Sequence, residues 1–356
     1  MKKINKIIAL LMALLTAVCV LASCGGAGET KETEKAPEQS AEVKAAETEA
    51  PETEAPADLS KEIRVYTLAG PTGMGMAKMI SDKKSGKSEL NCTFNVATAP
   101  DQVTAEVVKG EYEIAAVPVN LASVLYNKTE GALKVAAVNT LGVLYVLENG
   151  ETVKSVSDLK GQTIYATGQG STPEYTLRYI LEKNGIDPDK DVTIEYLSEH
   201  AELATRMTSG DVKLGMLPEP NVTAVTNGNK DVRVALDLTE EWNKVAPSDL
   251  VQGVVIVNKK FAEENPALLA KFLEEYNESV AFANENVDEV SVMIEEAGII
   301  PKAAVAKKAL PNCNIVFLEG EQMKAAVSGM LEVLFAAKPQ SVGGKLPDDA
   351  FYYLGK

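Results

Sequence analysis

The residues best suited to bind a small molecule lie in three short turns, each after an apolar run. The first contains Thr72, whose hydroxyl can donate and accept hydrogen bonds, between glycines that let a ligand approach the backbone. The second contains Asn120, whose amide also donates and accepts. The third places Ser171 and Thr172 at a predicted helix start, where free N–H groups favour an anion. We expect ligand contacts at Pro71, Thr72, Gly73, Met74, Val119, Asn120, Ser171 and Thr172. Turn formation and helix capping are the alternative roles for the same residues.

Carboxylates, and not arginines, fall near these turns. The four arginines lie inside predicted strands or helices, at Arg64, Arg178, Arg206 and Arg233. Asp101 and Glu219 lie at predicted helix starts, and we include them among the ligand residues. Carboxylates would suit an amine or a ring N–H, although favourable charge at a helix start is the simpler explanation. We expect a neutral or amine-bearing heterocycle or a zwitterion, and a small anion held by N–H groups stays open.

Histidine and cysteine are too scarce for most catalytic and metal sites. His200 is the only histidine, so a zinc site or a Ser-His-Asp triad would depend on it alone. We expect it at the surface or at a helix start. Besides Cys19 and Cys24 the chain has only Cys92 and Cys313, which we expect to be free, buried thiols. The sequence therefore predicts no enzyme, no cofactor and no metal.

Alternating strands and helices must position the turns. Between residues 61 and 240, short apolar runs alternate with helical segments, and the alternation restarts near residue 162. Such a pattern indicates parallel sheets covered on both faces. A further strand is predicted over 250–258, and residues 259–336 are predicted to be mostly helical. We expect two α/β lobes: residues 61–148 plus 251–356 form the first, and residues 149–250 form the second.

The N-terminus has the pattern of an export signal. Three lysines and an apolar run over residues 7–20 precede Leu21-Ala22-Ser23-Cys24. The run is too short to span a bilayer, which needs about 20 residues. Its ending resembles the bacterial lipobox, which implies cleavage before Cys24 and diacylation of that residue; two acyl chains suffice for stable anchoring. We expect a signal peptide over 1–23 and a lipid anchor on the outer face of the cytoplasmic membrane. A plain secretory signal is the alternative.

Composition limits what the remaining chain can bind. Residues 24–60 consist largely of Glu, Thr, Ala, Pro and Lys, so we expect a disordered acidic tether. The formal net charge of the whole chain is −16. Such acidity argues against nucleic acid and against docking on anionic lipid. The membrane is therefore expected to be contacted only through the lipid.

Several segments, in their order and spacing, resemble one family. They are Val156–Ile164, Gly170–Pro173, Asn184–Val192, Gly210–Pro220 and Phe261–Pro266. They are similar to bacterial solute-binding lipoproteins of ABC importers with the periplasmic-binding-protein type II fold. Within that fold they resemble the branch for nitrate, sulfonate, taurine and thiamin-pyrimidine precursors.

The resemblance implies both architecture and function. The implied fold is two doubly wound α/β lobes joined by a two-strand hinge. The implied function is to capture a small molecule between the closing lobes and deliver it to ABC permease and ATPase subunits, and the protein is expected to be a monomer. The resemblance also adds small organic anions, such as a sulfonate, to the expected ligands.

Two alternatives come from other functional classes. One is a lipid-tethered sensory or binding module without transport, because a fold does not fix a function. The other is an enzyme like the synthases of the thiamin pyrimidine that share this family outline. The absence of a cysteine cluster, the single histidine and the export signal argue against the enzyme.

Overall fold

The computed structural model describes residues 57–355. The predicted signal peptide, Cys24 and most of the predicted tether lie outside this range. The strands are β1 (Ile63–Leu68), β2 (Cys92–Ala97), β3 (Ile114–Pro118), β4 (Leu133–Thr140), β5 (Leu144–Asn149), β6 (Thr163–Thr167), β7 (Thr193–Leu197), β8 (Leu214–Pro218), β9 (Val232–Asp237), β10 (Gly253–Asn258) and β11 (Ile315–Leu318). The helices are α1 (Pro71–Met74), α2 (Ala77–Lys84), α3 (Pro100–Lys109), α4 (Val119–Lys128), α5 (Thr172–Lys183), α6 (His200–Ser209), α7 (Asn221–Gly228), α8 (Leu238–Asn243), α9 (Lys259–Glu264), α10 (Pro266–Glu285), α11 (Val287–Glu296), α12 (Ala303–Ala309) and α13 (Gly320–Ala337).

The strands form two sheets. The first has the order β11-β4-β10-β3-β1-β2, and the second has the order β7-β6-β8-β5-β9. In the first sheet β1 is parallel to β2 and β3, and β10 runs antiparallel to both β3 and β4. In the second sheet β6 is parallel to β7 and β8, and β5 runs antiparallel to β8 and β9.

Both sheets are therefore mixed, and the expectation of parallel sheets over residues 61–240 was wrong for β5. The later strands β10 and β11 are also antiparallel to their neighbours. The reason for β5 and β10 is the path of the chain. Each is the first strand after the chain passes from one sheet to the other. Each of these strands starts beside the carboxyl end of a neighbouring strand in its new sheet. It must therefore run antiparallel to that neighbour. The four-residue β11 lies in a range predicted to be helical, and it is too short to produce a periodic pattern.

Two crossovers connect the sheets. The first is residues 141–143, between β4 and β5, and the second is residues 238–252, between β9 and β10. They touch at Gly142, where an added Cβ would lie 2.1 Å from Thr239 Oγ1 and 2.9 Å from Leu250 Cδ2. Only glycine fits this contact without movement. β5 belongs to the second sheet, whereas the expected boundary between residues 148 and 149 assigns most of this strand to the first lobe.

The core of the described range contains the tryptophan and both cysteines. Trp242 is fully buried, lies 4.9 Å from the ring of Tyr179 and donates from Nε1 to the carbonyl oxygen of Ser248 at 2.7 Å. Cys92 and Cys313 are free and buried, as expected. Leu59, which falls within the predicted tether, packs against the core of the first sheet. No helix in the described range has both the length and the apolar character needed to cross a membrane.

Candidate functional site

The carboxyl ends of the parallel strands face each other across the two crossovers. Register places the start of β10 beside the end of β3, at the pair Gly253 and Pro118. It also places the start of β5 beside the end of β8, at Leu144 and Pro218. In α/β sheets, ligands bind just beyond the carboxyl ends of the strands. We call the space between these two edges the cleft. Its first wall is residues 70–74 and 118–120, and its second wall is residues 167–172, 198–200 and 218–220.

The first wall is built on a rigid turn after β1. Gly70 has φ +98°, which favours glycine, and a Cβ on Gly73 would lie 2.3 Å from the carbonyl oxygen of Leu68. The carbonyl oxygen of Thr72 accepts from Asn139 Nδ2 at 3.1 Å and from Thr67 Oγ1 at 3.5 Å. Buried polar groups thus fix the backbone of this turn. The Thr72 hydroxyl takes no part in these bonds and is available to a ligand.

Two of the predicted ligand residues have their side chains in the core. Met74 and Val119 are both fully buried. The backbone N–H of Val119 donates to the carbonyl oxygen of Gln252 at 3.0 Å. The sequence placed these residues in the turns correctly but could not tell which way their side chains point. Their side chains therefore lie behind the surface of the wall.

Asn120 and Thr172 meet across the cleft. Thr172 Oγ1 donates to Asn120 Oδ1 at 3.1 Å, although the helices that contain these residues follow strands of different sheets. Asn120 is 8% exposed and Thr172 is 2% exposed. Asn120 Nδ2 lies 3.5 Å from the carbonyl oxygen of Ser341, which follows α13. The structure therefore brings these two predicted residues together.

The start of α5 is already occupied by protein groups. Ser171 is the N-cap residue, but its Oγ donates to the carbonyl oxygen of Gly168 at 2.6 Å and does not cap the helix. Glu174 Oε2 accepts from the backbone N–H of Gly170 at 2.6 Å. A carboxylate of the protein thus provides the negative charge that this helix start favours. This occupation weakens the case for an external anion at this position.

Glu219 is buried and has several partners. It is 2% exposed, and its carboxylate accepts from the N–H of Thr223 at 3.0 Å and from Thr223 Oγ1 at 2.9 Å. Asn312 Nδ2, from the first sheet's side, lies 3.4 Å from Glu219 Oε1. Burial raises the pKa of Glu219, and the bonds from Thr223 and Asn312 oppose that shift.

A second bond also reaches Asn312. Tyr145 Oη donates to the carbonyl oxygen of Asn312 at 3.1 Å. We call Tyr145, Glu219 and Asn312 the clasp, because the hydrogen bonds among these residues link the two sides of the cleft.

Asp101 differs from Glu219 in its surroundings. It lies in the first turn of α3, after β2, and is exposed to solvent. Gln102 caps this turn instead, since its Oε1 accepts from the backbone N–H of Thr98 at 2.9 Å. Asp101 is therefore the one predicted carboxylate whose side chain remains open to solvent.

All four arginines interact with other groups of the protein. Arg64 binds Glu113 through Nε at 2.9 Å and Nη2 at 2.8 Å. Ion pairs also join Arg178 to Asp189 and Arg233 to Glu148. The guanidinium of Arg206 lies 5.2 Å from the centre of the Tyr165 ring. None of these contacts places an arginine in the cleft walls as defined.

Sequence reasoning missed Thr167 as a site residue. It ends β6, and its Oγ1 lies 2.6 Å from Nδ1 of His200. His200 is the first residue of α6 and is exposed, as expected. A threonine directly before the Gly168 turn was the available signal. The second wall therefore contains a threonine–histidine pair in addition to Ser171 and Thr172.

Comparisons with known proteins bear on this arrangement. A family model described as "NMT1/THI5 like" matches residues 87–290. No curated protein matches the chain. An ABC transporter from Parabacteroides distasonis, known from its crystal structure, shares 26% sequence identity with this chain. The two structures align with a TM-score of 0.69 over 82% of this chain and 98% of that chain.

Two further crystal structures are similar at lower identity. The periplasmic aliphatic sulphonate binding protein SsuA from Escherichia coli is 17% identical, with a TM-score of 0.64 over 81% of this chain and 92% of that chain. The periplasmic nitrate-binding protein NrtA from Synechocystis PCC 6803 is 11% identical, with a TM-score of 0.54 over 76% of each chain.

Proposed function

This chain belongs to the NMT1/THI5-like family, and from that premise we propose that it is the solute-binding component of an ABC importer. The predicted family resemblance and the predicted type II periplasmic-binding-protein fold are both confirmed. Two similar solved structures are named as binding proteins, which agrees with the expectation that this chain is not an enzyme.

The bond between Asn120 and Thr172 is the observation that carries the proposal. It joins the starts of α4 and α5, which follow strands of two different sheets, and ligands of α/β folds bind beyond the carboxyl ends of such strands. Both groups can donate and accept hydrogen bonds, so each could exchange its partner for a solute. A solute bound by both would link the two walls.

Opening and closing about the two crossovers is the proposed mechanism. The first crossover has only three residues, and glycine at position 142 keeps it in contact with the second. Short connections of this kind act as hinges in domain closure. In the open state Asn120 and Thr172 would separate and become available. Solute binding would then favour the closed state, which is the state that a permease would recognise.

The proposed solute is small and polar: an amine-bearing or neutral heterocycle, a zwitterion, or a small organic anion such as a sulfonate. Engaged arginines and the carboxylate of Glu174 at the start of α5 support the first two classes. Two similar structures are named as sulphonate-binding and nitrate-binding proteins, so we also include a small anion among the proposed solutes. The Thr72 hydroxyl remains available to the solute, and the side chain of Asp101 is exposed to solvent.

The proposed location is the outer face of the cytoplasmic membrane. Support comes from the lipobox-like sequence ending at Cys24, which lies outside the described residues. The lipid would be the only membrane contact, and ABC permease and ATPase subunits would be the protein partners. We propose that the protein acts as a monomer.

A thermal-shift screen followed by calorimetry tests the function. The purified protein is screened against heterocyclic amines, amino acids, alkanesulfonates and nitrate. A solute present at 100 times its dissociation constant should stabilise the folded state by about 2.7 kcal/mol. The same solute should lose affinity for an Asn120→Ala variant. If no class of solute raises the melting temperature, the solute-binding proposal is wrong.

A further inference from the structure

Thr167 and His200 form a hydrogen-bonded pair on the second wall. Thr167 is the last residue of β6, and His200 begins α6 just after β7. These strands are parallel neighbours, with Thr167 opposite Leu197. Both residues therefore lie at the carboxyl edge of the second sheet, which faces the first sheet across the cleft.

Thr167 holds the imidazole through one nitrogen only. Its Oγ1 lies 2.6 Å from His200 Nδ1, and Thr167 itself is 1% exposed. His200 is exposed, and its Nε2 makes no hydrogen bond within residues 57–355. A threonine hydroxyl can donate or accept, so it supports either tautomer of the ring. Nε2 can then accept a hydrogen bond from one solute or donate one to another.

The surroundings favour an uncharged ring. Burial of part of the ring lowers the pKa of His200, and the carboxylate of Glu199 acts in the opposite direction. Glu174 already lies at the neighbouring start of α5. The hydroxyls, the amide and the carboxylate of Glu219 described above supply other polar groups of the cleft. Together these groups are better suited to hydrogen-bond the N–H and C=O groups of an uncharged solute than to bind a solute with a full negative charge.

We propose that His200, positioned by Thr167, contacts the solute directly, and that the cleft accepts an uncharged solute with N–H and C=O groups, such as an amide or an amino-substituted ring. This inference rests on the proposed function and narrows its range of solutes. It assigns a role in recognition to a residue that the sequence marked only as a surface or helix-start histidine.

The test uses four defined probes and the single histidine. Cytosine and nicotinamide serve as uncharged probes, and methanesulfonate and nitrate serve as anionic probes. Because His200 is the only histidine, its imidazole ¹⁵N signals are identified without further assignment. At least one uncharged probe should bind in calorimetry and shift these signals. His200→Phe should weaken that binding roughly tenfold, the effect of losing one hydrogen bond in the upper part of its usual range.

Two further variants separate contact from structure. His200→Gln keeps a donor and an acceptor and should retain more affinity than His200→Phe. Thr167→Val should weaken binding less than His200→Phe, because it removes only the group that holds the ring. Thr176→Val is the matched control, since Thr176 is a buried threonine whose hydroxyl has no partner among the described residues. The control should bind the probe as the parent protein does.

Each other outcome overturns the inference in a distinct way. If an uncharged probe binds without changing the imidazole signals, the role of His200 is wrong and the solute-binding function stands. If only the anionic probes bind, the assigned class of solute is wrong. If none of the four binds, the assigned class is also wrong, and the broader screen then decides the fate of the proposed function separately.

Discussion

At the scale of single residues, two threonines of the cleft have opposite roles. The carbonyl oxygen of Thr72 is held by Asn139 and Thr67, while its hydroxyl is free of those bonds. The hydroxyl of Thr172 is instead bound to Asn120. Removing the Thr72 hydroxyl should therefore affect binding alone, whereas removing that of Thr172 also affects the contact between the walls.

Thr72→Ala should weaken binding of a solute found by the screen. The expected loss is about 0.5–1.5 kcal/mol, the net contribution of one hydrogen bond. The melting temperature without solute should hardly change, because no core cavity is created. Calorimetric titration measures the affinity, and Thr72→Ser is the control that keeps the hydroxyl. Equal affinity in the Ala and Ser variants would mean that the hydroxyl does not touch the solute.

At the scale of elements, a buried carboxylate joins β5 to β9. Glu148 on β5 binds Arg233 on β9, the hydroxyl and N–H of Thr152, and the N–H of Val153. Burial raises the pKa of Glu148, but the bonds from Thr152 and Val153 and the charge of Arg233 outweigh it and hold the pKa below its usual value. The folded state therefore prefers the charged form.

Glu148→Gln should lower the free energy of unfolding by roughly 1.5–3 kcal/mol at neutral pH, the range for hydrogen bonds to a charged group. Because the folded pKa is depressed, this stability is present above the unfolded pKa of about 4.3 and is lost as the pH falls through the folded pKa. Urea unfolding at several pH values measures it. Glu274→Gln, at the solvent-exposed pair with Lys271, is the control and should stay within about 0.5 kcal/mol. A Glu148 deficit that is independent of pH would contradict the argument.

At the scale of the whole molecule, the clasp and the Asn120–Thr172 bond set the balance between open and closed states. Asn312→Ala removes the contact with Glu219 but leaves the carbonyl oxygen that accepts from Tyr145. We expect a shift towards the open state of about 1 kcal/mol, or roughly fivefold in population. Energy transfer between dyes on the two sheets reports it.

A matched variant controls for general loosening. Asn284 Nδ2 donates to the carbonyl oxygen of Ile315 at 2.9 Å, on the side of the first sheet. Asn284→Ala should change stability without changing the distance between the sheets. If Asn312→Ala and Asn284→Ala give the same energy transfer, the clasp does not control closure.

Anchoring is also a property of the whole chain. Cys24→Ser should release the protein from membranes, because two acyl chains are the only expected attachment. Fractionation of cells followed by a salt wash measures the bound share. Cys92→Ser, at a buried free thiol, is the control and should leave the protein on the membrane. A Cys24→Ser protein that stays on the washed membranes would contradict lipid attachment at this residue.

The sequence by itself determined most elements and the turns that hold the site. Strands such as β1 and β2 lie within the range predicted to alternate between strands and helices, because a local apolar run decides whether a segment forms a strand. The turns around Thr72, Asn120 and Thr172 were found for the same reason, since glycine, proline and polar residues mark a turn within a few positions.

Only the tertiary structure decided how these parts meet. Thr172 bonds Asn120 across 52 residues of sequence, and Asn312 reaches Glu219 across 93. Met74 and Val119 point into the core, and β5 and β10 run against their neighbours. Each of these outcomes depends on which sheet the chain enters and at which edge. Local residue preferences do not contain that information, because it arises only when distant segments pack together.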